Sequence, residues 1–190
     1  STDLTKNPLT LKEIDKSKAS THTGIARNPI IPNTASEVHN MGEVWCVALW
    51  EARANLIAKH GYATGNQLIL QLVSDGMNLS PANPNYVQAR DAILQADAVN
   101  SGGANYAELW TAFAKRGLGA SATAPPSTRT TGLVEAYDVP DALLIMPLTG
   151  QLASGPVGGS FLPNPAYFTL TNTGSSTLSW SLVNTTAWLT

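Results

Sequence analysis

The sequence predicts a mainly α-helical domain followed by a partial β-sandwich, and three features carry that expectation. Between residues 37 and 117, apolar side chains recur at three- and four-residue steps, the period of helices with a buried face. Beyond Pro140 the period falls to two. Tyr167-Phe-Thr-Leu-Thr-Asn172 and Thr177-Leu-Ser-Trp-Ser-Leu-Val183 alternate apolar with hydroxyl residues, as half-buried strands do. An Ala/Thr/Ser/Pro-rich stretch over 120–132 separates the two textures and reads as a linker or an extended surface strap. The expected division is a helical lobe over 1–119, a linker over 120–139 and a β module over 140–190.

The longest helical signal runs from Glu37 to Gly61. Val38, Met41, Trp45, Ala48, Ala52, Leu56 and Ile57 form one stripe, which Leu49 and Trp50 widen. Ser36 is the expected N-cap and Gly61 the expected left-handed stop. Cys46 falls within this helix and is expected as a small buried thiol. Before this helix, Asn7-Pro8, Asn28-Pro29 and Pro32-Asn33 punctuate the chain. A short helix is expected over Leu9–Lys18, with Thr10 as cap and Glu13 at the capping-box position.

Downstream, Leu68, Ile69, Leu72, Val73 and Met77 share one side of a helix over Gly65–Leu79. Asn83 is expected to cap the next one, with Pro84 at its first position. Arg90 and Asp97 then point toward the apolar side, so each needs a partner, and a salt bridge locking helices together is the expected form. Tyr106, Leu109, Trp110 and Phe113 mark a fourth helix, closed by Gly117-Leu-Gly119 in the pattern of a Schellman ending.

Composition narrows the function classes. Eleven basic and thirteen acidic residues give a net charge of −2, without the basic field that nucleic acid or an anionic membrane calls for. No apolar run reaches the roughly 20 residues needed to span a bilayer. Residues 1–20 carry Lys6, Lys12, Lys16 and Lys18 with no apolar segment after them, unlike a signal peptide. No Asp-rich loop of calcium-binding spacing is present. A zinc hydrolase site needs two histidines one helical turn apart with a glutamate between them, and His22, His39 and His60 are too scattered to supply it.

His39 falls in the first turn of the long helix, where unpaired backbone N–H groups and the positive dipole end favour anions. An imidazole there is well placed to meet a negatively charged intermediate. The order of strings Val38-His39, Asn55-Leu-Ile57, Lys59-His-Gly61, Asn83-Pro84 and Ala89-Arg-Asp-Ala-Ile-Leu94 with Asp97 resembles the C-terminal helical half of the fungalysin family of secreted zinc metallopeptidases. The resemblance covers residues 1–119. Arg53-Ala54 stands where that family has Trp, and Met41-Gly-Glu-Val-Trp45 does not serve as its zinc-ligand segment, which leaves Glu43 a solvated or capping carboxylate.

The resemblance implies the helical lobe of a thermolysin-like endopeptidase whose Zn2+ ligands and general base lie upstream, so that the chain begins within a catalytic domain. It implies that His39 hydrogen-bonds the oxyanion at the scissile carbonyl, that Glu37 is the nearest candidate to orient it, and that Asn40 touches substrate. It also implies secretion, protein or peptide substrates, and a partner in the upstream zinc-binding half. These 190 residues alone are expected to bind no stoichiometric zinc and cleave no protein. The β segment resembles the start of an immunoglobulin-like, BACON-type module cut off at Thr190. The rival reading is a noncatalytic extracellular module adhering to matrix or carbohydrate.

Overall fold

The computed structural model describes residues 2–15, 17, 38–140, 143–146, 154–160, 162, 167–172 and 177–183, with residues 38–40 described by their backbone alone. Two compact units divide the chain, Ser1–Asp141 and Ala142–Thr190. Among its described residues the first unit has four α-helices: α1 (Val38–His60), α2 (Tyr62–Leu79), α3 (Tyr86–Ser101) and α4 (Tyr106–Lys115). Ser36, Glu37 and His22 lie outside the described residues.

Val44, Ala48, Ala52 and Leu56 form the fully buried line of α1, with Met41, Trp45 and Leu49 packed beside it. Two expectations for this helix need correction. Cys46 is exposed, because it lies about 160° around the helix from both Val44 and Ala48. Trp50 is 49% exposed. Its position, five residues beyond Trp45, turns it to the outer face, where the Arg53 guanidinium stacks 4.6 Å from its ring centroid. That guanidinium also faces Tyr62 at 5.7 Å, and Arg53 Nε donates to Asn66 Oδ1 at 2.8 Å.

A single residue, Gly61, joins α1 to α2. Its φ of 81° and ψ of 165° suit glycine, and the peptide serves both helices: its N–H donates to Ile57 O, and its carbonyl accepts from Gly65 N. So tight a corner forces the helices together at Gly65, where a Cβ would come 2.5 Å from Leu56 O. α2 therefore begins three residues before its expected start. α2 in turn approaches α3 at Gly76, where a Cβ would meet Ile93 Cγ1 at 2.9 Å.

The cap of α3 is Asn85 rather than Asn83. Asn85 Oδ1 accepts from Gln88 N, and the Gln88 side chain accepts from Asn85 N, a complete capping box that leaves Pro84 outside the helix. Asn83 takes a left-handed φ of 53°, which asparagine tolerates. The end of α4 is a Schellman motif as expected. Leu118 N donates to Phe113 O, Gly117 N donates to Ala114 O, and Gly117 has φ 80°.

The N-terminal helix is shorter than its pattern suggests, a 3-10 turn over Leu11–Ile14. The Thr10 side chain makes no cap bond there. The Asp15 carboxylate ends the turn by accepting from Ser17 N and Oγ, and reaches across to Gly132 N and Leu133 N. Residues 117–138 run as a strap along the helical body. Gly119 N and Ala120 N donate to Ala136 O and Asp138 O, Thr123 and Val134 exchange both backbone bonds, and Leu118, Ala122 and Leu133 are buried.

Among its described residues the second unit holds one antiparallel pair, β1 (Leu143–Met146) with β2 (Thr169–Asn172), in the register Leu143 to Asn172 and Met146 to Thr169. A further bridge joins Ser154 and Leu162. Thr177–Val183, expected as a strand, has no ladder partner among the described residues; Trp180 and Leu182 are exposed. A period of two makes a strand only where a neighbouring strand supplies the hydrogen bonds.

Candidate functional site

The N-terminal turn of α1 brings Val38, His39 and Asn40 into helical backbone, ahead of the buried line that begins at Val44. The first four N–H groups of a helix lack intrahelical acceptors, so this end carries partial positive charge. The start of α3 is laced against it. Tyr86 Oη donates to Met41 O at 2.9 Å, and the Tyr86 ring meets Trp45 edge-on at 5.9 Å between centroids. Trp45 is backed by Phe113, stacked at 6.2 Å. Burial pushes the Tyr86 hydroxyl up to about 12, so it remains a neutral donor at ordinary pH.

Between the two helix ends lies a cavity of about 380 Å3 lined by Met41, Gly42, Trp45, Pro84, Asn85, Tyr86 and Ala89. Glu43 sits one turn beyond His39, and desolvation holds its carboxyl above the usual range.

His60, at the far end of α1, is 21 positions from His39, about 31 Å along the axis at 1.5 Å per residue, so the two cannot share a ligand. His60 Nε2 lies 2.6 Å from Asn105 Oδ1. Because Asn105 Nδ2 donates to Asp97 Oδ1, the amide turns its oxygen to the ring, and Nε2 carries the proton. Among the described residues no group of three or more His, Cys, Asp or Glu is placed to hold a metal ion. The described residues do not fit a zinc site.

Arg90 and Asp97 are buried, as their spacing predicts, but they do not pair with each other. Arg90 Nη1 donates to the carbonyls of Leu118 and Gly119, its Nε and Nη2 meet the neighbouring Asp91, and its plane covers Trp110 at 4.6 Å. Asp97 accepts from Asn105 N and Nδ2 and from Ser101 Oγ. The ion pair that does lock the lobe is Glu51 with Arg116, and sequence reasoning missed it. Glu51 is 2% and Arg116 0% exposed; Arg116 Nε and Nη2 bind Glu51 Oε1, while Lys115 Nζ binds Glu51 Oε2 at 2.9 Å. A signal was present: Glu51 falls three residues after Ala48 and next to Ala52, on the apolar stripe itself.

The sequence model of the fungalysin metallopeptidases (M36) matches residues 1–122. An extracellular metalloproteinase of Pyricularia oryzae is 46% identical over 135 residues, covering 62% of this chain and 21% of the relative. One from Aspergillus fumigatus is 44% identical over 135 residues, 64% of this chain and 18% of the relative. Another, from Trichophyton equinum, is 46% identical over 119 residues, 54% and 19% respectively. The chain thus spans about a fifth of the length of these relatives. With most of its first unit matched, the chain belongs to the fungalysin metallopeptidase family.

Proposed function

We propose that this chain is the C-terminal part of a secreted, zinc-dependent endopeptidase that cleaves extracellular proteins. The observation that carries the reading is the family match over 1–122, which includes a histidine in the first turn of the central helix. Relatives named extracellular metalloproteinases support secretion, and among the described residues no helix is long and apolar enough to cross a membrane. The metal ligands and the general base belong to another part of the same polypeptide, and the 190 residues alone are inactive. Elemental analysis of this chain after dialysis should find no zinc; one zinc per chain would overturn that part of the reading.

Within this reading His39 is the catalytic residue of the lobe. An N–H donor fixed at a helix start, aimed where the scissile carbonyl oxygen becomes negative, stabilises the transition state more than the substrate. Glu37 orients the imidazole through its other nitrogen, and Asn40 contacts the peptide. Glu37 lies outside the described residues, and both it and Asn40 enter on sequence position alone. Residues 140–190 belong to an immunoglobulin-like module, a reading supported by the antiparallel β1–β2 pair and the two-residue apolar period.

The test is His39→Ala in the intact protease. Loss of one oxyanion donor lowers kcat on the order of 10²–10³-fold with KM nearly constant. Zinc content and Tm should remain at the wild-type level. A variant that keeps its kcat, or that loses its zinc, would give His39 a different job.

A further inference from the structure

The corner at Gly61 folds α2 back along α1 and brings two short rows of side chains together on the outside of the pair. Trp50 and Arg53, three positions apart, share a face of α1, and Tyr62 and Asn66, four apart, share a face of α2. The other three side chains converge on Arg53. Its guanidinium lies 4.6 Å from the Trp50 ring centroid and 5.7 Å from that of Tyr62, and its Nε donates to Asn66 Oδ1. Trp50 is half exposed and Tyr62 is 70% exposed. Among the described residues Arg53 Nη1 and Nη2 have no acceptor, and no carboxylate pairs with them. The acidic residue nearest in sequence, Glu51, lies about 200° around the helix and gives its oxygens to Lys115 and Arg116. Asn66 Nδ2, Tyr62 Oη and Trp50 Nε1 are likewise without an acceptor among the described residues. The cluster therefore offers one positive charge, a set of donors and two exposed ring surfaces.

We propose that this cluster binds the uronic-acid residues of an extracellular polysaccharide, with the Arg53 fork on the sugar carboxylate. The inference stands apart from the reading of His39 and leaves the peptidase chemistry untouched. A guanidinium holds a carboxylate through two parallel N–H···O bonds, and with Nε tied to Asn66 the end-on pair Nη1 and Nη2 remains for it. Stacking and the Nε bond already fix the side chain, so little rotamer freedom is lost on binding. An acidic amino-acid side chain would use the fork alone. A hexuronate also brings hydroxyls to Asn66 Nδ2, Tyr62 Oη and Trp50 Nε1, and a flat C–H face to the exposed aromatic surface. One exposed contact of this kind is weak. A polyuronate repeats its carboxylate along the chain, which raises the effective concentration and turns weak contacts into retention.

The experiment is affinity electrophoresis of the intact protease through native gels containing polygalacturonate, its methyl ester or polyglutamate, with Tm and peptide hydrolysis measured alongside. Polygalacturonate should retard the wild type, the methyl ester should not, and added salt should release it. Arg53→Ala should weaken the apparent affinity on the order of tenfold, as loss of a charge-assisted bond does, while peptide hydrolysis stays at the wild-type level. Arg53→Lys should restore only part of the binding, because an ammonium keeps the charge without the planar fork. Tyr62→Ala should weaken binding by less than Arg53→Ala, and it keeps the test intact if the Arg53 variants fail to fold. Equal retardation by the methyl ester overturns recognition of the carboxylate. Equal retardation by polyglutamate overturns the sugar assignment and makes the partner an acidic polypeptide. A wild type that polygalacturonate does not retard, or folded variants that it retards equally, overturns the site. None of these results bears on peptide hydrolysis, whose absence in the wild type would overturn the proposed function instead.

Discussion

Glu51 and Arg116 form the most buried ion pair among the described residues, and its value lies in what happens when one partner is removed. Arg116 also donates through Nη1 to the carbonyls of Asn7 and Leu9, so one guanidinium satisfies a helix glutamate and two backbone oxygens. Breaking so buried a pair by removing one partner costs about 3–5 kcal/mol. Glu51→Gln should therefore lower stability by that order in urea unfolding, and Arg116→Met by less, since Lys115 still pairs with Glu51. The double variant should cost less than the sum of the two, because each single variant already breaks the same ion pair. Asp15 makes the second such anchor. Burial pushes its carboxyl up, but bonds from the Ser17 hydroxyl and the N–H groups of Ser17, Leu133 and Gly132 outweigh this and hold it below the ordinary 3.8. A carboxyl lowered on folding contributes stability that is complete above its unfolded value and is lost as pH falls through its folded one. Amide protection at Gly132 and Leu133 should fall with acidification below about pH 4, and Asp15→Asn should remove that pH dependence. Protection unchanged by the variant would show that the strap is held otherwise.

At the scale of elements, caps and corners decide where each helix begins and ends. Asn85→Ala should destabilise α3 by about 1 kcal/mol, the usual worth of an N-cap, whereas Asn83→Ala should have no such effect on helix content. Comparable Tm losses for both would reject the assignment of the cap. Gly117→Ala should cost more than about 1 kcal/mol, since φ is 80° and its Cβ would come 2.8 Å from Glu135 Oε1. The existence of all four helices was legible in the period of Met41, Trp45, Ala48, Ala52 and Leu56 and its counterparts downstream, and so was the stop at Gly117. The start of α3 was not, because Asn83-Pro84 and Asn85 offer rival caps and only Gln88, three residues on, closes the box with Asn85. Cys46 and Trp50 misled for a different reason: being apolar does not place a residue on the buried arc, and their helical phase puts them outside it. The strap was hidden in its composition. What holds it is backbone N–H groups on Asp15, and Glu135 Oε1 accepting from Lys12 N, neither of which leaves an apolar signature. As for the candidate site, His39 was legible from its place at the helix start, while the cavity beside Gly42 was not. It takes form only when α3, some 45 residues away, brings Tyr86 against Met41.

At the scale of the whole molecule, the first unit combines local and distant bonds in unequal proportion. The corner at Gly61 and the box at Asn85 join neighbours in sequence. The bonds that fasten residues 7–15 reach much further: Arg116 to Asn7 and Leu9 spans 109 and 107 positions, and Lys12 to Glu135 spans 123. Closing loops of that size is slow compared with forming a hairpin of adjacent helices. The order of assembly follows from that disparity. The helical pairs form first, and the N-terminal strip docks onto an already shaped body, with Arg116 and the strap waiting to receive it. Conservative truncations in the strip, such as Leu11→Ala and Ile14→Val, should then speed unfolding and leave the folding rate nearly unchanged, low φ-values that stopped-flow measurements can check. During synthesis the consequence is a delay: residues 7–15 leave the ribosome early and cannot be fastened until residue 135 has followed them.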